Sequence, residues 1–193
     1  MFVTPLQIGS FKLVEANQPY RPPGLHLSDI ISDMMKRLDP KRYDKRDKAG
    51  TPLPMNEVKI GAGISFEQAL EKTFKPAAVA AFRPEPILVD GIWCSPDHVE
   101  MDPYCVSEFK CTEYSAKKEF PYDDVYWPWL VQTKGYGKAL GTGLAKVWVM
   151  YMHGDYAPPT IWEPKVWGLE FSEMEIEENW LMLVNHAKAQ GWL

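Results

Sequence analysis

Apolar segments of two different periods alternate along this 193-residue chain, and few folds accommodate that alternation. Ile30, Ile31, Met34, Met35 and Leu38 recur at helical spacing behind Ser28, which reads as an N-cap, and Pro40 ends that helix. Ser65 opens a second helix, with Phe66, Ala69, Leu70 and Phe74 on one side and Pro76 at its close. From Val79 the character is that of strands: AVAAF, then PILVDGIWC, then YCVSEFKC after a turn over SPDHVEMDP. A third helix is expected over residues 125–140. AKVWVMYMHG has the β-branched and aromatic content of a strand, and TIWEPKVWGLEF reads as another, interrupted by Pro164. The tail from Ser172 is a helix, acidic at its start, with lysine near its end and glycine at its close. This order predicts an α/β fold, a mixed central sheet with helices on both faces. The 17 prolines speak against a helical bundle.

The length suits one domain, organised as an N-terminal arm and helix (1–60), a core (61–155) and a final strand and helix (156–193). Residues 1–25, rich in proline and polar groups, read as an irregular arm, and residues 112–128 as a polar, aromatic loop. An apolar fraction of 46% with 24% charged residues excludes a disordered or fibrous chain. The net charge of −5 gives no general attraction to nucleic acid, although an acidic pocket holding cations, approached past lysines, would still admit a polyanion. Residues 36–48 hold seven basic and three acidic side chains, which suits either a solvated loop or a phosphate-contacting flap. Cys94, Cys105 and Cys111 lack zinc-type spacing and read as small core residues in a reducing compartment. No run approaches the roughly 20 apolar residues of a membrane span, and the N-terminus lacks a signal peptide's pattern, so a cytoplasmic protein is expected.

Acidic residues in the middle of the chain carry the chemical signal. Glu108 and Lys110 lie two apart on a strand and therefore share a face, while Phe109 points the other way. Asp97 stands in an SPD turn beside the preceding strand. A carboxylate and an amine facing a second carboxylate are costly to bury, which makes sense if they hold a hard divalent cation. An ion pair on a sheet face, with Asp97 as a turn former, accounts for the same spacing. Glu67 and Glu71 share a face of the second helix, and Gln132 and Tyr136 share a face of the third, flanked by Lys134 and Lys138. His98 adjoins Asp97 and reads as a turn residue or a neighbour of the cation, whereas His26, His153 and His186 show no informative spacing.

Pro96-Asp97 followed by Glu108-Phe109-Lys110 resembles the signature of the PD-(D/E)xK nuclease superfamily. Gly63-Ile-Ser-Phe-Glu67 is similar to the helix motif which that family places ahead of the sheet. Gln132-Thr-Lys-Gly-Tyr136 resembles the QxxxY motif of the subgroup that includes the RecB nuclease domain and phage λ-type exonucleases. The resemblance covers roughly residues 60–155 and implies a restriction-endonuclease-like core. It implies Mg²⁺ or Mn²⁺ bound by Asp97, Glu108, Glu67 and the Phe109 carbonyl. It makes Asp97, Glu108 and Lys110 catalytic, with Lys110 orienting the attacking water. Gln132, Tyr136, Lys134 and Lys138 would position DNA. Asp90 and Glu71 are the second choices for Asp97 and Glu67. The three cysteines do not match the four that bind an iron–sulfur cluster in some relatives, so no cluster is expected. The implied activity is a DNA exonuclease in recombination or end processing, located in the host cytoplasm if phage-encoded. A recombination or single-strand-annealing partner fits such a role, and ring-shaped assemblies of λ-type relatives admit a homo-oligomer. A restriction-type or structure-specific endonuclease and a non-catalytic DNA-binding module are the alternatives. Tyr114, Tyr122, Tyr126, Trp127 and Trp129 are either core residues or platforms for unpaired bases.

Overall fold

The computed structural model describes residues 2–6, 21–43, 61, 63–66, 68, 81–112, 120–151 and 165–193. A six-stranded sheet runs in the order β1-β9-β8-β7-β6-β3, formed by β1 (Phe2–Leu6), β3 (Ala81–Phe82), β6 (His98–Met101), β7 (Tyr104–Thr112), β8 (Leu144–Tyr151) and β9 (Lys165–Glu170). Only the β7–β8 pair is parallel within it, and α3 (Trp127–Leu140) lies in the crossover that a parallel pair requires. A smaller sheet, β2-β5-β4, joins Leu25–His26 (β2), Ile92–Cys94 (β5) and Ile87–Val89 (β4). Helices α1 (Leu27–Leu38), α2 (Pro40–Tyr43) and α4 (Glu173–Ala189) complete the labelled elements. Among the described residues no helix is long and apolar enough to cross a membrane.

Side-chain alternation along the central strands divides the core in two. Val147, Val149 and Tyr151 of β8 join Val106 and residues of α1, α3 and α4 in the larger cluster. Trp148 and Met150 point the other way, with Phe109 and Val166, onto Phe66 of the helical residues 63–66. Helical segments therefore cover both faces, as the alternating periods predict. α3 and α4 are joined by Asn179 Nδ2, which donates to the Val131 carbonyl at 3.1 Å. Gly135 lets the start of α1 approach α3, since a Cβ there would stand 2.6 Å from Leu27 Cδ2.

Several elements differ from expectation. Residues 2–6 form an edge strand rather than an irregular arm, and Pro5 is tolerated there because an edge position asks less of the missing N–H. PILVDGIWC is a hairpin rather than one strand. Asp90 and Gly91, with φ of 49° and 82°, turn the chain between β4 and β5, as an Asp-Gly pair between apolar runs favours. The segment read as a turn contains β6, which forms a hairpin with β7. The first helix is capped at His26, whose N–H donates to Asp29 Oδ2 at 3.2 Å, and Ser28 lies within the helix. Ser172 caps α4 as expected, in a reciprocal capping box with Glu175. Burial pushes the thiols of Cys94 and Cys105 up, to about 12 and about 11, as suits core residues.

Candidate active site

The register of the β6–β7 hairpin brings Asp97 to Glu108. His98 stands opposite Ser107, so the next antiparallel position would set Asp97 against Glu108, with both side chains on one face. The ladder stops there because Pro96 has no N–H to continue it. Beyond that point the Phe109 N–H takes a side-chain acceptor in place of a strand carbonyl: it donates to Asp97 Oδ2 at 2.8 Å. Asp97 is thereby fixed against the backbone between Glu108 and Lys110.

Glu108 is 1% exposed and forms an ion pair with Lys110, which is also largely buried. The Lys110 ammonium donates in addition to Gln132 Oε1 at 2.9 Å, and Gln132 Nε2 donates to the Tyr136 hydroxyl at 2.8 Å. A continuous chain thus runs from the strand carboxylate to a buried phenol on α3. Burial holds the Tyr136 pKa well above its ordinary value, and the charges of Glu108 and Asp97 raise it further. Tyr136 therefore remains a neutral hydroxyl near neutral pH.

Among the described residues no three His, Cys, Asp or Glu side chains cluster closely enough to hold a metal by themselves. A hard cation such as Mg²⁺ does not require three, because water and substrate phosphate fill positions left by one or two carboxylates. Asp97, Glu108 and the Phe109 carbonyl are oxygen donors of that kind, so the residues present fit a divalent ion. Glu67 and Glu71 lie outside the described residues, as do Tyr114 and the distal part of the basic stretch, residues 44–48.

A cleft of about 530 Å³ reaches Gln132 and Tyr136 from the side of the smaller sheet, lined also by Arg21, Arg83, Ser28 and Ser95. No motif in the sequence marks these four, because they come from separate segments that only the fold assembles. Arg21 Nη2 donates to both carboxylate oxygens of Asp29 at 2.6 Å.

Other expected site residues stand elsewhere. Lys134 and Lys138 point towards α4, with Lys134 Nζ 3.9 Å from Glu175 Oε1 and Lys138 Nζ 2.5 Å from Glu177 Oε1. Asp90 lies in the β4–β5 turn, where its Oδ2 accepts from Trp180 Nε1 at 2.8 Å. His98 is buried in β6 and faces Phe109, with ring centroids 5.9 Å apart, so neighbouring residues 97 and 98 serve opposite faces. Tyr126 is fully buried, its hydroxyl 3.1 Å from that of Tyr151, whereas Tyr122 is exposed. On the face away from Glu108, sequence inspection missed a buried network in which Ser107 Oγ donates to Glu100 Oε1 at 2.7 Å and Lys146 Nζ to Oε2 at 2.5 Å. It ties β6, β7 and β8 together beneath the site.

Comparison with solved structures finds an alkaline exonuclease, LHK-Exo from Laribacter hongkongensis, with a TM-score of 0.53 and 14% identity over 86% of this chain and 89% of that one. The structure of SSO0001 is similar at a TM-score of 0.47 and 12% identity, over 86% of this chain and 78% of that one. No family model and no curated protein matches the chain. At these identities the likeness to the exonuclease concerns the fold, and the chain has the restriction-endonuclease-like α/β arrangement of a mixed sheet between helices.

Proposed function

We propose that this chain is a divalent-metal-dependent DNA exonuclease that hydrolyses phosphodiester bonds in recombination or end processing. The observation that carries the reading is the convergence of Asp97 with the buried Glu108–Lys110–Gln132–Tyr136 chain. Fold likeness to an alkaline exonuclease supports it.

In this reading Asp97, Glu108 and the Phe109 carbonyl hold Mg²⁺ or Mn²⁺. The bound ion supplies charge neutralisation at the scissile phosphate and a lowered water pKa. Lys110 orients the attacking water and balances charge developing on the phosphoryl oxygens. Gln132 fixes the direction of the ammonium, and the neutral Tyr136 hydroxyl fixes the Gln132 amide. Arg83, and Arg21 in its pair with Asp29, line the adjoining cleft together with Glu85, and in this reading the two guanidinium groups meet the phosphate backbone. Lys134 and Lys138, turned to the acidic start of α4, have no part in this scheme.

Linear duplex labelled at its 5′ or 3′ end, and a covalently closed circle, incubated in parallel with Mg²⁺ or Mn²⁺, test the reading. Shortening of the linear DNA with the circle left intact is expected. A cut circle replaces the exonuclease with an endonuclease on the same fold. If no DNA form is cut while DNA is still bound, a non-catalytic binding module replaces the nuclease.

A further inference from the structure

A second cavity of about 230 Å³ lies between α1, α2 and the start of α3. Its walls include the rings of Tyr43 and Trp129 and the aliphatic side chains of Ile31 and Met35, with the hydroxyl of Ser32 at the rim. Gln132 and Ser28 line both this cavity and the larger cleft. Gln132 is also the residue that takes the hydrogen bond from Lys110. The cavity therefore opens one side chain away from the ammonium that the nuclease reading sets at the scissile phosphate.

Among the described residues neither a carboxylate nor a cation lines this cavity, so it offers no charged partner to a phosphate. Two aromatic rings and two hydroxyls suit a flat, neutral ligand with hydrogen-bonding edges. The volume is below that of pockets for drug-sized molecules, which leaves room for one ring system and not for a base pair.

We propose that this cavity receives one unpaired nucleobase of the strand being cut, next to the scissile phosphate. The proposal rests on the nuclease reading and adds a substrate class to it: a strand whose base at that position is out of the duplex stack. Holding the base between aromatic and aliphatic walls fixes the register of the strand over Lys110. A base still paired has its edge and faces occupied and cannot enter.

The test is binding of a short labelled single strand, without divalent metal so that nothing is cut, with each base in turn replaced by an abasic site. For the unaltered protein, one position should weaken binding about tenfold, the scale of one stacked base. Tyr43→Ala removes a wall and Ser32→Phe fills the mouth from an exposed position on α1. Each variant, with its thermal melt checked, should lose the positional effect. The proposal is overturned if no abasic position matters by more than about twofold, if both folded variants keep the wild-type profile, or if blunt duplex binds as well as single strand. Should the wild type bind no nucleic acid and cleave none, the nuclease reading itself fails, a different result from a strand that binds without positional dependence.

Discussion

Lys110 is held by two acceptors that differ in kind. Glu108 supplies a full charge at 1% exposure, and Gln132 supplies a dipole from α3. Removing one partner of a buried pair strands the other, so Lys110→Ala should destabilise the fold by about 3–5 kcal/mol in urea titration as well as abolish cleavage. Lys110→Met combined with Glu108→Gln should recover most of the stability and none of the activity; equal losses for the single and double variants would refute the coupling. Asp90 and Asp97 are separated by the same logic. Asp90→Ala removes the acceptor of the Trp180 indole and should lower stability by about 1–2 kcal/mol with cleavage kept. Asp97→Ala should abolish cleavage. In sequence Asp97 ranks ahead of Asp90 only through its Pro-Asp turn; the β6–β7 register sets Asp97 against Glu108, and the β4–β5 hairpin carries Asp90 away to Trp180.

Helix α3 ends at Gly141, whose φ of 68° closes it in the left-handed region, and the Thr142 N–H then reaches the Gly137 carbonyl at 3.0 Å. That tight return packs the Thr142 carbonyl over Gly137, where a Cβ would meet it at 2.7 Å. Helix propensity alone favours Gly137→Ala by about 1 kcal/mol. Backbone cannot move aside as a flexible side chain can, so the substitution should instead lower the melting temperature, and a rise would contradict the packing. The QxxxY spacing along this helix was legible, since positions four apart share a face. Lys134 and Lys138 turn instead to α4, because residues two apart on a helix lie about 200° around it from Gln132 and Tyr136 respectively. The edge strand at residues 2–6 was hidden by its neighbourhood of prolines and polar groups, and only β9 makes it a strand.

Helices α1 and α4 are tied by the Asp33 carboxylate, whose titration bears on how they pack. Asp33 accepts from Arg37 at 2.6 Å and from His186 at 2.9 Å; burial alone would raise its pKa, yet these bonds hold it below the ordinary value. The Ser172 backbone N–H does the same for Glu175 in the α4 capping box. With folded-state pKa values depressed, the unfolded chain takes up protons first as pH falls. Stability from these groups is complete above about pH 5 and lost progressively below it, through the depressed folded-state values. Thermal midpoints measured from about pH 5 to about pH 3 should fall, and less steeply in the Asp33→Asn, Glu175→Gln double variant; parallel curves for the two proteins would argue against this origin.

Hydrophobic period, proline stops, the Pro-Asp turn and the Glu-x-Lys and Gln-x₃-Tyr spacings were enough to define an α/β chain with a mixed sheet and to nominate Asp97, Glu108, Lys110, Gln132 and Tyr136. These are local properties, set by geometry within a few residues. The cleft with Arg21 and Arg83 and the cavity behind Gln132 were decided by tertiary structure alone. Each depends on segments far apart in the chain meeting in one register, and no local spacing encodes that.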